Sequence, residues 1–241
     1  MGSFRPHPPN KILASLADSD LALLRPHLTP LPLPVRKVLH RPGTPINQVY
    51  FVNSGIASVV AVSSTGARRV EVGVIGREGF TGIEIVFANP RASHEVFMQV
   101  GGAGYSIAVA DLRAAMAEAP AIQRQLLRYA NAFMIQTAHT ALANGSATIE
   151  ERLARWLLMA QDRIDVAGLP LTHEFLSLML GVRRAGVTVA LQSLQEDGLI
   201  LSSRGSIRII DREALTRKAG GTYGQPEEEY RRIFEAANNG T

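Results

Sequence analysis

The sequence predicts an α+β fold in which an N-terminal antiparallel β-roll leads into a long helix and a C-terminal winged helix-turn-helix. Three observations support this prediction. After residue 29, short β-branched runs alternate with Pro and Gly, as in an all-β roll. Ala, Leu, Gln and Arg dominate residues 111–144, a composition that favours helix. Two short segments of helical periodicity then flank Gly181, and a pair of strand-like runs follows them.

The composition is that of a folded globular protein and excludes several kinds of site. Of the 241 residues, 46 % are hydrophobic and 19 % charged, which fits one or two domains, and we expect two. The absence of cysteine excludes disulfides, cysteine-ligated zinc, thiolate-ligated iron–sulfur clusters and a cysteine nucleophile. The net charge of +4 is compatible with a polyanionic partner. No apolar run reaches the roughly 18 residues of a membrane span, so we expect a cytoplasmic protein without a membrane partner.

The N-terminal half alternates between one helix and several strands. Residues 11–28 have the apolar spacing of a helix. The runs at residues 49–52, 56–62, 69–75 and 95–100 read as strands, because they are β-branched and bounded by turn residues. Arg68 and Arg69 fall between two of these strands, which places them on a solvated hairpin.

The helix predicted over residues 121–144 has two apolar faces and therefore needs two partners. We expect one face to pack on the β-roll of the same chain and the other on the same helix of a second subunit. The dimer interface is assigned to the face formed by Leu126, Ala130, Phe133, Thr137 and Ala141. The second face comprises Leu127, Met134, Ile135, Ala138 and Leu142. The alternative is a helix that is fully buried within one subunit.

Local signals divide the chain into four parts. Asn144, Gly145 and Ser146 are expected to interrupt the helix, and Thr148 with Glu151 has the form of a capping box that starts a new helix over residues 149–167. The predicted parts are a β-roll sensor domain (1–118), a dimerisation helix with hinge (119–145), a winged helix-turn-helix domain (146–220) and a polar, solvated tail (221–241) with room for one short helix.

The function is concentrated in residues 172–197, which read as two short helices around Gly181. Thr172 is a suitable N-cap for the first helix, and Gly181 supplies the positive φ of a sharp turn. With Val187, Leu191 and Leu194 turned inward, the second helix presents Arg183, Arg184, Ala185, Thr188, Val189 and Gln192 outward. Such a helix fits the DNA major groove.

Arg184 is the best candidate for reading a base, since an arginine can bond guanine bidentately for about 1–3 kcal/mol of discrimination. Thr172, His173, Arg183 and Gln192 are better placed for phosphate or groove-edge contacts. Residues 201–210 read as a β-hairpin wing whose Ser203, Arg204 and Ser206 reach the sugar-phosphate backbone. The alternative, a plain helical hairpin without DNA contacts, would need neither the wing nor the outward arginines.

The order of these parts, with the segments GVRRAGVTVALQSLQEDGLI and SSRGSIRIIDREAL, resembles the Crp/Fnr superfamily of bacterial transcription regulators over residues 18–215. The resemblance implies a homodimer whose second helices read an inverted repeat through Arg184, Ala185 and Val189. The best-known member of that family has arginine, glutamate and arginine there. Because Ala185 and Val189 offer apolar contact, for example to a thymine methyl, the preferred half-site should differ.

The resemblance also locates an effector site in the β-roll, which the cyclic-nucleotide-binding members build from a Gly-Glu cassette followed by Arg-Ser or Arg-Ala. The corresponding residues are Gly82, Ile83, Glu84, Arg91, Ala92 and Ser93. Ile83 stands where the ribose-binding glutamate belongs, and Glu84 follows one position later. In a strand Glu84 would turn to the opposite face, although an irregular loop could restore its position. Arg91 has the chemistry of a phosphate clamp, but a surface arginine after a proline turn is the favoured interpretation.

The prediction is therefore a sequence-specific, DNA-binding transcription regulator without a favoured cofactor. The displaced cassette disfavours a cyclic nucleotide, and no spacing motif supports haem ligation by His94 or His139. Double-stranded DNA and a second copy of the chain are the expected partners, with RNA polymerase and an unidentified small-molecule effector as candidates. The alternative is a dimeric ligand-binding signalling module whose winged helix binds protein. An enzyme is not expected, because nucleophile-elbow, phosphate-loop and metalloprotease motifs are missing.

Overall fold

A computed structural model describes residues 9–164, 168–203 and 205–235. The chain forms two compact units: one comprises the residues up to Val62 together with Val74–Asn131, and the other comprises Ser63–Gly73 and Ala132–Thr241. The division differs from the predicted domains in two respects. It falls inside the long helix, and the Ser63–Gly73 hairpin groups with the C-terminal unit.

The N-terminal unit begins with two short helices, α1 (Lys11–Ala14) and α2 (Asp18–Leu24), where one helix was predicted over residues 11–28. The side chain of Asn10 caps α1 by accepting from the N–H groups of Ile12 and Leu13. Ser15 ends it, because its hydroxyl donates to the Ile12 carbonyl at 2.8 Å. A 3₁₀ turn over Arg25–His27 follows α2.

The body of this unit is the predicted antiparallel sheet. Its strands are β1 (Thr29–Leu33), β2 (Val38–His40), β3 (Gln48–Val62) and β5 (Glu95–Ala108), and the sheet also includes β4 (Arg69–Ile75), whose residues up to Gly73 group with the C-terminal unit. They lie in the order β1-β5-β3-β4, and β2 also pairs with β5. Strand β3 joins two segments that were predicted separately, because Gly55 takes a φ of 86° at a register shift and keeps the ladder to β5 continuous.

Aromatic packing closes the core of the sheet. The rings of Phe51 and Phe80 lie 5.8 Å apart, and Phe80 and Tyr129 lie 5.3 Å apart. All three side chains are buried. Tyr129 belongs to the long helix α4 (Pro120–Ser146), which follows α3 (Val109–Glu118). The first part of α4 therefore packs on the chain's own sheet, as the sequence predicted for one of its faces.

The hinge after α4 is shorter than predicted. Asn144, Gly145 and Ser146 were expected to interrupt the helix, but α4 continues through Ser146. The Ser146 hydroxyl donates to the Leu142 carbonyl at 2.8 Å, which holds the last turn. Helix α5 (Ile149–Gln161) starts directly afterwards with the predicted capping box between Thr148 and Glu151. Ala147 and Thr148 are thus the whole joint.

The C-terminal unit continues as a winged helix-turn-helix. Its further elements are α6 (His173–Leu180), α7 (Arg184–Glu196), β6 (Ile200–Ser203), β7 (Ser206–Ile209), α8 (Arg212–Lys218) and α9 (Gln225–Glu235). Helix α5 ends at Gln161, earlier than predicted, and residues 165–167 of that prediction lie outside the described part of the chain. Within the described ranges, no helix combines the length and apolarity needed to cross a membrane.

The predicted solvated tail is partly packed. Thr222 is buried, and its carbonyl accepts from the Arg155 Nε–H of α5 at 2.9 Å. The Tyr223 hydroxyl donates to Asp162 at 2.7 Å and accepts from Arg212 at 2.6 Å. These bonds fasten residues 222 and 223 to the winged helix-turn-helix, so this folded region extends past the boundary expected at residue 220.

Candidate nucleic-acid interface

Helices α6 and α7 form the predicted helix-turn-helix. The Thr172 hydroxyl accepts from the Phe175 N–H at 3.3 Å and caps α6. Gly181 ends α6 in the left-handed region with a φ of 62°. The three residues of α7 that were expected to face inward, Val187, Leu191 and Leu194, are buried, and so are Phe175, Leu176 and Met179 of α6. The apolar contact between the helices leaves the opposite face of α7 in solvent.

That outward face carries the predicted DNA-binding residues. Arg183, Arg184, Ala185, Val189 and Gln192 are exposed, and Thr188 is half-buried. Val189 stands out because 60 % of it is exposed, which is unusual for a large aliphatic residue. The Thr188 hydroxyl donates to the Arg184 carbonyl at 3.1 Å and lies 3.4 Å from His173 Nδ1. The face thus joins two cationic side chains to an apolar centre.

A groove beside α7 runs between the start of α6 and the wing. It is lined by Leu171, Thr172, His173, Ser202, Ser203, Gly205 and Ile207. Leu169 holds the wing in place, because its backbone exchanges two hydrogen bonds with Ile207, at 2.8 and 3.0 Å. Polar side chains stand on both sides of the groove, Thr172 and His173 on one and Ser202 and Ser203 on the other.

Three wing residues were assigned phosphate contacts from the sequence. Ser203 is exposed, and its hydroxyl donates to the Ser206 carbonyl at 3.3 Å. Arg204 lies outside the described residues. The sequence reasoning missed Ser202 and Gly205, because the pairing of Leu169 with β7, which shapes the groove, is a long-range contact without a local sequence signal.

Two residues of the face of α4 that was predicted to form the dimer interface are buried within the single chain. Leu126 and Ala130, assigned to the interface, are each 1 % exposed within the single chain. Phe133 and Thr137 are half-buried, and Ala141 is exposed. The chain's own core therefore takes up the first part of this face, and Leu126 and Ala130 are not accessible to a partner.

The second face of α4 is the open one. Leu127, Met134 and Leu142 are 36 %, 60 % and 53 % exposed, and Ala138 between them is exposed as well. Their spacing of seven and eight residues keeps them on one side of the helix, as in a coiled-coil seam. Ile135, placed on this face from the sequence, is half-buried.

The predicted effector residues lie on a loop and a 3₁₀ helix and not on a strand. Gly82 is left-handed with a φ of 78°, and the 3₁₀ helix spans Ile83–Phe87. A Glu84 carboxylate oxygen accepts from the Ser93 N–H at 2.8 Å and lies 3.9 Å from His94 Nδ1. Burial alone would raise the pKa of Glu84, but the nearby His94 imidazole and the hydrogen bond from the Ser93 N–H outweigh it and lower that pKa.

Arg91 is also engaged within the chain. Its guanidinium donates to the Gly43 carbonyl at 2.7 Å, and its side chain is exposed. This is the surface arginine after a proline turn that the sequence favoured. Its neighbour Ala92 is buried, and Ser93 is exposed. Within the described ranges, no group of three His, Cys, Asp or Glu side chains is arranged to hold a metal ion.

His40 is a buried polar residue that the sequence did not single out. It is 7 % exposed, and its Nε2 lies 2.8 Å from the Thr81 hydroxyl oxygen. Burial lowers the pKa of His40 to about 4, and the nearby Glu84 carboxylate only partly opposes that shift. The imidazole is therefore neutral at pH 7, and no local motif could have revealed this.

Comparisons with known proteins agree with the geometry. A family model described as the Crp-like helix-turn-helix domain matches residues 151–218. No curated protein sequence matches the chain. Among solved structures, FixK2 from Bradyrhizobium japonicum is 22 % identical with a TM-score of 0.69, and the match covers 79 % of this chain and 96 % of that one.

Two further structures show the same likeness. The c-di-GMP responsive global regulator CLP of Xanthomonas campestris is 19 % identical with a TM-score of 0.67, covering 81 % of this chain and 100 % of CLP. A transcriptional regulator of the Crp/Fnr family from Thermus thermophilus is 20 % identical with a TM-score of 0.65, covering 80 % of this chain and 100 % of that one. The resemblance predicted from the sequence is thus confirmed for the fold and for the helix-turn-helix domain.

Proposed function

We propose that this chain, which has the Crp/Fnr-family fold and a Crp-like helix-turn-helix domain at residues 151–218, is a transcription regulator that binds an inverted-repeat DNA site as a homodimer. The observation that carries the proposal is the exposed face of α7 beside the polar groove of the wing. A helix of this kind fits the major groove, while a flanking groove lined by hydroxyl and imidazole groups suits the phosphate backbone.

Base reading is assigned to three exposed residues at the start of α7. Arg184, in the first turn, has the reach and the two parallel N–H donors for the O6 and N7 atoms of guanine. Ala185 and Val189 lie on the same side, one turn apart, and present methyl groups only. Apolar groups of this kind pack against the C5-methyl of thymine. We therefore expect a half-site that contains a guanine close to thymines.

The remaining residues of the interface position the domain. Thr172, His173 and Ser203 line or border the groove, and Arg183, Thr188 and Gln192 flank the base-reading residues on α7. Contacts from such side chains to phosphates set register and orientation without encoding sequence. Arg204, for which the sequence predicts a contact with the sugar-phosphate backbone, is assigned to the same group.

Dimerisation is assigned to the open face of α4, formed by Leu127, Met134, Ala138 and Leu142. Covering this apolar stripe with the same stripe of a second copy would bury it in an isologous contact. The two α7 helices of such a dimer read half-sites one DNA turn apart, about 34 Å. Regulation by a small effector in the β-roll remains part of the hypothesis, but a cyclic nucleotide does not, because Glu84 and Arg91 are engaged by Ser93 and Gly43.

Selection from random DNA duplexes, followed by titration of the enriched sequence at fixed moderate salt, tests the proposal. We expect an inverted repeat to be enriched. Arg184→Ala should weaken binding by about 1–3 kcal/mol and relax the preference at one base position in each half-site. Arg113→Ala is the matched control, since Arg113 is an exposed arginine of α3 and its removal changes the net charge equally.

If no duplex is enriched and Arg184→Ala binds DNA like the unmodified protein, the DNA-reading proposal fails. The signalling module whose winged helix binds protein would then be the better description. A result in which Arg184→Ala and Arg113→Ala lose affinity equally would also contradict the assignment, since it would indicate attraction by overall charge.

A further inference from the structure

A small cavity lies within the C-terminal unit, where the Ser63–Gly73 hairpin, α4, α5 and α6 meet. Its lining is Glu71, Gly73, Thr140, Ala143, Asn144, Arg152, Arg155, Trp156, Met159, Met179 and Leu180. Its volume is about 20 Å³, and a cavity needs roughly 10–15 Å³ to hold one water molecule. The cavity thus has room for one water and little more.

Glu71 anchors the hairpin at this cavity. Its carboxylate accepts from the indole N–H of Trp156 at 2.7 Å, and both residues are 4 % exposed. A buried carboxylate is costly unless hydrogen bonds or opposite charges compensate it. Arg155, which is 5 % exposed, supplies the opposite charge. Burial lowers the pKa of the Arg155 guanidinium, and the negative charge of Glu71 partly opposes that shift.

Two guanidinium groups at the cavity are only partly satisfied by the described residues. Arg152 Nη2 donates to the Leu180 carbonyl, and Arg155 Nε donates to the Thr222 carbonyl at 2.9 Å. Arg152 Nε and Arg155 Nη2 are buried and have no hydrogen-bond partner in the part of the chain that the structure describes. A buried donor without a partner destabilises the fold, and the more so when the donor is charged.

We propose that the cavity is a site for one water molecule, which accepts from Arg152 Nε and Arg155 Nη2 and donates toward the Glu71 carboxylate. A small anion is the weaker occupant, because Glu71 contributes a negative charge to the same lining. Together with the Glu71–Trp156 hydrogen bond, this water links the Ser63–Gly73 hairpin to α5. Because Arg152 also donates to the Leu180 carbonyl, the same water links the hairpin to the end of α6.

The connection matters because α6 ends in the turn that sets the angle of α7. Val70 of the hairpin lies near that turn, since a Cβ placed on Gly181 would lie 3.7 Å from a Val70 methyl. Glu71 is therefore a positioning residue for the helix-turn-helix, a role that rests on the proposed DNA-binding function, whereas the water site itself does not.

A crystal structure of the unmodified full-length protein tests the site directly. We expect density for one water within hydrogen-bonding distance of Arg152 Nε and Arg155 Nη2. Data from crystals soaked in bromide, which scatters anomalously, distinguish a halide from a water. A cavity without density, or one occupied by bromide, overturns the proposal.

The role of Glu71 in linking the hairpin to α5 is tested by tryptophan fluorescence, because Trp156 is the single tryptophan of the chain. Acrylamide should quench the unmodified protein weakly, since the indole is buried. Glu71→Ala should raise the quenching constant severalfold, Glu71→Gln should raise it less because the amide oxygen still accepts from the indole, and Glu118→Ala on α3 should leave it unchanged.

Equal quenching of the unmodified protein and Glu71→Ala, with native circular dichroism for both, refutes the role of Glu71. If Glu71→Ala does not fold, Glu71→Gln and the crystal structure still decide. DNA affinity is measured separately: a protein that selects no DNA but shows the water and the quenching change would refute the proposed function and leave this site standing.

Discussion

Met134→Ala tests the revised dimer face, and its effect can be worked from exposure. Met134 is 60 % exposed in the single chain, so a partner helix has most of its side chain left to cover. Full burial of a methionine contributes about 1.5–3 kcal/mol. After allowing for the prior burial and for the methyl group that alanine keeps, the loss is about 1 kcal/mol per subunit. A dimer loses it twice, which raises the dissociation constant about thirtyfold.

Sedimentation over a range of protein concentrations measures that constant, and urea unfolding checks the fold of each variant. Leu126→Ala is the control, because Leu126 is 1 % exposed. It should cost about 2–5 kcal/mol of unfolding free energy and leave the association of folded subunits unchanged. The reasoning is refuted if Met134→Ala dimerises like the unmodified protein, or if Leu126→Ala folds stably and fails to dimerise.

Two further predictions concern stability. Thr172→Ala removes the cap on the Phe175 N–H and should lower the unfolding free energy of the C-terminal unit, measured by urea unfolding, by about 0.5–2 kcal/mol. Thr172→Ser, which keeps the hydroxyl, is the control. Equal losses of unfolding free energy in both variants would contradict the role of Thr172 as the cap. The pKa of His40 is 6.5 in the unfolded chain and about 4 in the folded protein. As the pH falls, the unfolded chain therefore takes up the proton first, and the unfolding free energy decreases between pH 6.5 and pH 4 by about 3 kcal/mol in total. In His40→Gln the unfolding free energy, measured by urea unfolding at each pH, should no longer decrease through this titration. If it changes with pH as steeply as in the unmodified protein, His40 is not the group responsible.

The helix-turn-helix was predictable because its signals are local. Thr172 and Gly181 determine where α6 begins and ends through bonds and torsions within a few residues of themselves. The inward positions of α7 follow from helical periodicity in the same way. These residues therefore appear in the structure where the sequence placed them.

The errors arose where distant contacts decide the outcome. Periodicity showed that α4 has two apolar faces, but which face meets the sheet depends on contacts such as that between Tyr129 and Phe80. For Glu84 the sequence left a strand and an irregular loop open, and the structure places it in a 3₁₀ helix with its carboxylate bonded to the Ser93 N–H. The Glu71–Trp156 bond joins residues 85 positions apart, and no local pattern encodes such a pair.

If the chain acts as the proposed dimer, the short joint at Ala147 and Thr148 limits which spacings of the two half-sites it can bind. Because α4 stays helical through Ser146 and α5 is capped at Thr148, few soft backbone angles separate the helix that carries the proposed dimer face from α5, the helix that precedes the helix-turn-helix. In the proposed dimer, the two DNA-binding domains are joined to the dimer helices by this short connection and not by flexible linkers. Inserting or deleting a base pair between the half-sites would rotate one half-site away from the helix-turn-helix that binds it. The length of the spacer would therefore contribute to sequence specificity.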